Sequence, residues 1–580
     1  MKITRVWLLP MVAMSFGLTG CVDDNYDLSD IDTTVKVRVN DLIVPINLDE
    51  ITLKNILDLD EDSKVKDVNG VYAFVEDGEF RSDVVKVNKV HVSSPDIAPT
   101  VATIRKPADA PSGTLMAGEE LTFNVGGEST EYSVSTDNVP SSIVSVKHAE
   151  CDYSLDVVMS LKGLEGMVGN VRMRNIVMQL PRGLEIAEDN GNYNPETGRF
   201  YVGDRVASGS KLTLHFTVTG FDFEKSGVTY DYPAHRMSFS DQLCLSEATL
   251  VLGAEDVKVP VSQLPETFEL HTEFNMGSIQ INSFSGRIKY DVNGVNVSDV
   301  LLTDLPDIFT QEGTDIRIAN PQIYVNVHNP LNEYGLKAET GMEITSYKDD
   351  SRVGTYALDA PGKFEVEGVP GQTSYNYCLS PKAVEQAYPG YEGAKHVGYT
   401  SLSNVLSGNG LPTRLAIDFV NPCVPEQDVE DFRLGTELGN VGGTYTFFAP
   451  LAFGEGSTVV YSDVIDGWSS EDLDAVTVET LVVTATVSTN IPVSVEFTGS
   501  PIGCDGRVID NVEIEGAQVA ANANEQQVNI RVTGEFTGLD GITFTARAVA
   551  GADEKALTPN MNVVLKNVRS QVSGYYEKEL

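Results

Sequence analysis

The sequence predicts a mainly β chain of tandem Ig-like sandwich domains with few short helices, and three observations carry that expectation. Period-two runs recur along the chain, as in Val35-Lys36-Val37-Arg38-Val39 and Leu212-Thr213-Leu214-His215-Phe216-Thr217-Val218. Alternation of apolar and polar residues marks a half-buried strand. Turn formers are dense, with 50 Gly and 26 Pro among 580 residues, and they punctuate the runs at the spacing of short strands. Helical patterns are confined to residues 52–57, 380–388 and 401–406; in the second, Ser380 is placed as N-cap and Pro381 in the first turn.

A chain of this length exceeds one compact core, and at roughly 100–200 residues per domain three or four domains are expected. The divisions read from composition are 1–21, a leader; 22–34, an acidic tether; 35–135, an N-terminal β region and linker; 136–265, a β-sandwich repeat A; 266–430, a β-sandwich with a Tyr-rich helical insertion; and 431–580, a β-sandwich repeat B. The repeat rests on order. Val171, Asn175, Leu180-Pro181, Gly198-Arg199, an alternating strand and Thr219-Gly220-Phe221 are followed by Val483, Asn490, Ile491-Pro492, Gly506-Arg507, an alternating strand and Thr533-Gly534-Glu535-Phe536. In the middle segment, Asn320-Pro321 and Asn329-Pro330 bracket an alternating strand; proline lacks the ladder donor, so each step marks a strand end. That stretch resembles the Asn-Pro strand of late-embryogenesis-abundant type 2 domains, which implies an Ig-like sandwich.

The first 21 residues read as an export signal. Lys2 and Arg5 are charged, an apolar run over 6–16 is too short to span a bilayer, and Leu18-Thr19-Gly20-Cys21 follows. The ending resembles the bacterial lipobox, which implies cleavage before Cys21, lipidation of Cys21 and anchoring in a membrane by more than one acyl chain. Position 22 is Val, and Asp23 and Asp24 come next. Acidic residues at that place resemble the surface-export signal of Bacteroidota lipoproteins, which implies Asp23 and Asp24 as export determinants and an outer-membrane location facing the cell exterior. Asp32-Thr33-Thr34 resembles the O-glycosylation acceptor of that phylum, with Thr33 as the acceptor. Lipobox, acidic tether and β repeats, together with the segment from Phe447-Phe448-Ala449-Pro450 to Gly467-Trp468, resemble surface lipoproteins of gut Bacteroidota. That resemblance implies a location and no activity.

Charge and motifs bound the chemistry. The formal charge is −43, from 84 acidic and 41 basic residues, so the basic face that nucleic-acid binding requires is missing. No Gly-x-Ser-x-Gly elbow and no His-Glu-x-x-His occurs, and Gly454-Glu455-Gly456 is followed by Val459 where a dinucleotide loop requires Gly. The seven His are scattered, and His215 is expected to face solvent in mid-strand. Asp58-Leu59-Asp60-Glu61-Asp62 opens like a calcium loop but continues with Ser63 and Asn69 in place of Gly and Glu. No catalytic residue, metal site or cofactor is therefore assigned. Cys151, Cys244, Cys378, Cys423 and Cys504 lack CxxC spacing; Cys151–Cys244 and Cys378–Cys423 could bridge, but buried free thiols are preferred.

Five tyrosines, Tyr375, Tyr377, Tyr388, Tyr391 and Tyr399, crowd one span of 25 residues. Tyrosine offers an apolar face and a hydroxyl, which suits stacking on a glycan or docking a protein. The same residues also suit packing the insertion onto its own sandwich. As a surface they would leave Tyr388 and Tyr391 exposed around the Pro389-Gly390 turn. The expectation is a non-enzymatic cell-surface lipoprotein presenting a binding or adhesive face. The alternatives are a polysaccharide-binding accessory protein of an outer-membrane uptake system, disfavoured because only Trp468 follows Cys21, and a fimbrial or adhesin subunit.

Overall fold

The structure, a computed structural model, describes residues 34–579 except 46–50, 54–56, 58, 60–62, 188, 304, 408–410 and 472. The structure is 60% strand and 4% helical, with no helix of seven residues or more among the described residues, so the mainly β fold with few helices is what forms. No helix of the described residues is long and apolar enough to cross a membrane.

The central element is a twelve-stranded sheet whose main path runs Leu184–Ile186, Lys211–Asp222, Ile143–Lys162, Ile279–Asp291, Arg414–Arg433, Ala338–Lys348 and Ser351–Ala357. Its two halves carry different partners. Over the first half lies a seven-stranded sheet built around Asn170–Gln179 and Arg236–Gly253, joined by ring contacts between Phe200 and Phe216 at 5.1 Å and between Phe123 and Phe268 at 5.3 Å. Over the second half lies another seven-stranded sheet, ordered Asn296–Val297, Val71–Val85, Gly439–Pro450, Gln322–His328, Ser374–Ser380 and Lys395–Gly398. Phe80 meets Phe419 at 4.7 Å and Tyr377 meets Phe364 at 5.1 Å across that layer. A separate C-terminal sandwich sets a six-stranded sheet (Thr34–Pro45, Asn562–Glu579, Thr477–Thr489, Gln526–Phe536, Glu513–Glu515 and Ile51–Thr52) against a four-stranded one (Thr458–Ile465, Leu539–Ala550, Val493–Gly503 and Ala517–Val519).

Backbone pairing therefore runs across the divisions read from composition. Ile143–Lys162 pairs with Ile279–Asp291, Val71–Val85 pairs with Gly439–Pro450, and the first described strand pairs with the last. The two segments of the repeat share one feature: first and last strands are neighbours, 170–179 with 236–253 and 477–489 with 562–579. They part at the alternating strand, since Lys211–Asp222 lies in the sheet opposite its first strand, whereas Gln526–Phe536 pairs with its first strand directly.

The Asn-Pro steps frame the strand Gln322–His328 as expected, and it is central, with neighbours on both sides. The predicted helix over 380–388 does not form. Ser380 ends a strand and pairs with Gly398, so it cannot cap, and its Oγ donates to Lys382 O at 2.8 Å. Val384, Ala387 and Tyr388 reach one side without a helix and pack against the cluster of Tyr324, Cys378 and Tyr391. The 401–406 helix shortens to a single 3-10 segment, Thr400–Asn404. Of residues 52–57, only 52, 53 and 57 are described, with Leu57 N–H donating to Leu53 O at 2.8 Å.

Candidate binding groove

Cys21, Asp23, Asp24 and Thr33 lie outside the described residues, as do Asp58, Asp60, Glu61 and Asp62 of the calcium-like run. The five tyrosines are described, and four are buried: Tyr375, Tyr377, Tyr391 and Tyr399. Tyr375 and Tyr377 belong to a strand and not to an insertion, because Ser374–Ser380 pairs with Gln322–His328. Their hydroxyls tie down the preceding loop: Val369 N–H donates to Tyr375 Oη at 2.7 Å, and Glu367 N–H donates to Tyr377 Oη at 3.3 Å. Burial pushes the Tyr377 hydroxyl up to about 12, with the Glu367 charge adding to it. Tyr399 Oη donates to Tyr356 O at 2.8 Å.

Tyr388 and Tyr391 lack the exposure that a binding surface would give them and follow the packing alternative. Tyr391 is 8% exposed and Tyr388 half-buried. The reason is the outer face of the sheet, where the register sets Tyr324 beside Cys378 and Thr446. A phenol ring surrounded by strands on that face needs a cover, and the 381–394 connection supplies it. Tyr324 lies 5.3 Å from Tyr391 and 5.9 Å from Tyr388, and Tyr388 lies 5.3 Å from Phe448. Thr446 Oγ1 donates to Asp77 Oδ1 at 2.6 Å, so its one proton is used. Tyr391 Oη, 3.2 Å away, must therefore be the donor of that pair.

Two rows farther along the same face, the sheet is polar and open. Asn326 stands beside Asn376 and Thr444, and Thr444 beside Glu79; the next row holds His328, Gly442 and Arg81. Glu79, Arg81, His328, Gly442 and Thr444, with Asn296, Ser298 and Asn440, line a groove of about 720 Å³. Its wall is the short edge strand Asn296–Val297, which pairs with Arg81 and Phe80. Ser298 locks that wall in place, since Glu79 N–H donates to Ser298 Oγ at 2.9 Å and Tyr445 Oη donates to Ser298 O at 2.6 Å. Tyr445 reaches it only because residue 78 is glycine; a Cβ there would overlap the Tyr445 ring.

The groove's charged groups are oriented but not neutralised. Arg81 Nη2 donates to Asn440 Oδ1 at 2.7 Å, and Asn440 Nδ2 donates to Ser82 O at 2.6 Å. Among the described residues neither Arg81 nor Glu79 has an ion-pair partner. His328 Nδ1 sits 2.8 Å from Thr373 O. A carbonyl only accepts, so Nδ1 carries the proton and, in the neutral ring, Nε2 is the acceptor. Beside the groove on the same sheet, Asn326 Nδ2 donates to Asn376 Oδ1 at 2.7 Å. The arrangement offers a guanidinium, a carboxylate, amides, hydroxyls and an imidazole acceptor along one concave strip, a donor and acceptor set suited to hydroxyl-rich ligands.

The sequence reading missed this groove. Its residues come from four segments, 79–81, 296–298, 328 and 440–444, and only Asn440 with the glycine pair Gly442-Gly443 hinted at an open surface. Elsewhere the chemistry is sparse. Among the described residues no group of three or more His, Cys, Asp or Glu could hold a metal ion. His215 is exposed as expected and pairs with Asp156 at 2.5 Å. The five described cysteines are free thiols; Cys151, Cys244 and Cys378 are buried, and burial pushes the Cys151 and Cys378 thiols up.

No family model matches this chain, and no curated protein matches it. A solved structure to which it is similar is a protein of Parabacteroides distasonis described as secreted, at 13% identity and a TM-score of 0.35, covering 50% of this chain and 89% of that one.

Proposed function

We propose that this chain is a non-enzymatic binding protein, held by lipid on Cys21 to the outer membrane and displayed to the cell exterior, whose recognition face is the groove around Arg81 and His328. The observation that carries the reading is the groove itself: unpaired Glu79 and Arg81 alternate with amides and hydroxyls on the seven-stranded sheet of Val71–Val85. Rigid strands hold such groups in place before a ligand arrives, which limits the ordering cost of binding. An oligosaccharide is the occupant that fits, because its hydroxyls both donate and accept, and flat charge neutralisation is not required. Display by Asp23 and Asp24 and anchoring by Cys21 rest on the lipobox and the acidic run. Nucleic acid remains excluded from the partners by the charge of −43.

The test is a glycan array followed by calorimetry on the best binder. Arg81→Ala and His328→Ala should each weaken binding about tenfold, equal to about 1.4 kcal/mol, without moving the melting temperature. A chain that retains no glycan, or that hydrolyses the polysaccharides offered, defeats the proposal.

A further inference from the structure

The C-terminal sandwich differs from the other two in how its layers meet. Elsewhere facing aromatic residues close the gap between sheets, as Phe200 and Phe123 do, both under 9% exposed. In the C-terminal sandwich the sheets approach each other along Val493–Gly503, Ala517–Val519 and Gln526–Phe536 and spread apart on the other side. There the strand Leu539–Ala550 turns three alanines in succession, Ala546, Ala548 and Ala550, toward the opposite layer. Opposite them lie Val563 and Leu565. Methyl groups facing medium-sized side chains cannot fill a gap of about 10 Å between stacked sheets.

What remains is a cavity of about 120 Å³, continued past Phe497 and Phe544 by a second of about 60 Å³. Tyr461, Phe497, Phe544 and Leu565 border both, so the two lie end to end. A space between the layers in the sandwich of Phe80 and Phe419 is about 30 Å³. Protein interiors seldom leave voids of this size unfilled. Phe544 to Ala550 spans about 20 Å at ~3.4 Å per residue, whereas one leaflet of hydrocarbon, which a single acyl chain crosses, is about 15 Å deep. The lining is apolar except at Ser457, beside Ala550, and at exposed Asp463, which stands opposite Phe544 where the two spaces join and accepts from Tyr461 Oη at 3.3 Å. Ala546, Ala548 and Phe544 face inward yet stay partly exposed, because the space they line is unfilled.

We infer that this space is a binding site for the acyl chain of a single-chain amphiphile, with the chain along Ala546 and Ala548 and the polar head at Asp463. A carboxylate at the mouth accepts hydrogen bonds and repels anions, so the head is a hydroxyl or an ammonium and not a second carboxylate. The site is independent of the groove at Arg81.

The full chain carrying Cys21→Ala, which cannot place its own lipid in the site, is titrated with 1-monopalmitoylglycerol, with palmitate and with phosphatidylethanolamine vesicles. Saturable one-to-one binding of monopalmitoylglycerol is expected, at least tenfold tighter than palmitate, and Ala546→Leu with Ala548→Leu should abolish it. No saturable binding, equal binding after the two alanines are filled, or binding to the vesicles alone overturns the inference. A monopalmitoylglycerol analogue bearing a diazirine at the chain end covers the case in which the filled variant fails to fold. Crosslinks within 493–497 or 542–550 of the Cys21→Ala chain support the site, and crosslinks confined elsewhere refute it.

Discussion

Replacing Tyr391 by alanine separates packing from display in the tyrosine cluster. The ring is 8% exposed, lies 5.3 Å from Tyr324, and its hydroxyl donates to Thr446 Oγ1. Removing a buried aromatic side chain costs about 3–5 kcal/mol, since the cavity lined by strand residues cannot collapse. Tyr391→Phe removes only the hydroxyl; Thr446 keeps its bond to Asp77, so about 1 kcal/mol is expected. Tyr388 is half-buried, and its truncation should cost roughly 1 kcal/mol, about half of a full side-chain burial. At about 2–4 °C per kcal/mol for a unit of 150–250 residues, the transition of this sandwich should fall by roughly 6–20 °C in Tyr391→Ala and by a few degrees in the other two. Scanning calorimetry on the mature chain reads all three. A Tyr391→Ala midpoint within about 2 °C of the parent, or a Tyr388→Ala loss as large as that of Tyr391→Ala, refutes the reasoning that the cluster is a packed cap.

Further outcomes follow from other parts of the molecule. Cys21→Ala should release the protein from membranes, and persistent cofractionation after high-salt washing would remove the lipid anchor from the proposal. Alanine at both Asp23 and Asp24 should leave the chain lipidated but protected from protease added to intact cells; equal cleavage would make the pair a plain tether. Asp256 is fully buried, accepts from Gly253 N–H at 3.0 Å and pairs with Arg172 at 3.4 Å, so Asp256→Ala should destabilise its sandwich by about 3–5 kcal/mol, as read by urea unfolding. Native chain at pH 8 should react with a thiol reagent first at exposed Cys504, while Cys151 and Cys378, held protonated by burial, react only on unfolding. Tyr377 and Tyr399 have raised values in the folded chain, so their contribution is complete below pH 10 and is lost as pH rises above it. A transition that showed no alkaline destabilisation between pH 10 and 12 would contradict their burial.

Strand content, turn positions and the scarcity of helix were legible along the chain because they depend on local periodicity and on glycine and proline. Gln322–His328 between its two Asn-Pro steps and solvent-facing His215 are examples, each determined by residues within a few positions. The acidic charge is equally an additive property of the residues. Strand partnership is neither. Ile143–Lys162 takes neighbours from 211–222, 267–276 and 279–291, so one sheet serves two sandwiches, and no periodicity encodes that choice. The tyrosines show the same limit: their number marks them, but whether they face solvent depends on Tyr324 lying bare on the sheet beside Cys378 and Thr446, which only the register decides. The groove draws on four segments and the acyl cavity on the spreading of two layers, and both exist because long-range pairing sets which small and polar side chains meet. Local sequence determined what each segment can be; the pairing of distant strands decided which surfaces are buried, which stay open and where a ligand can enter.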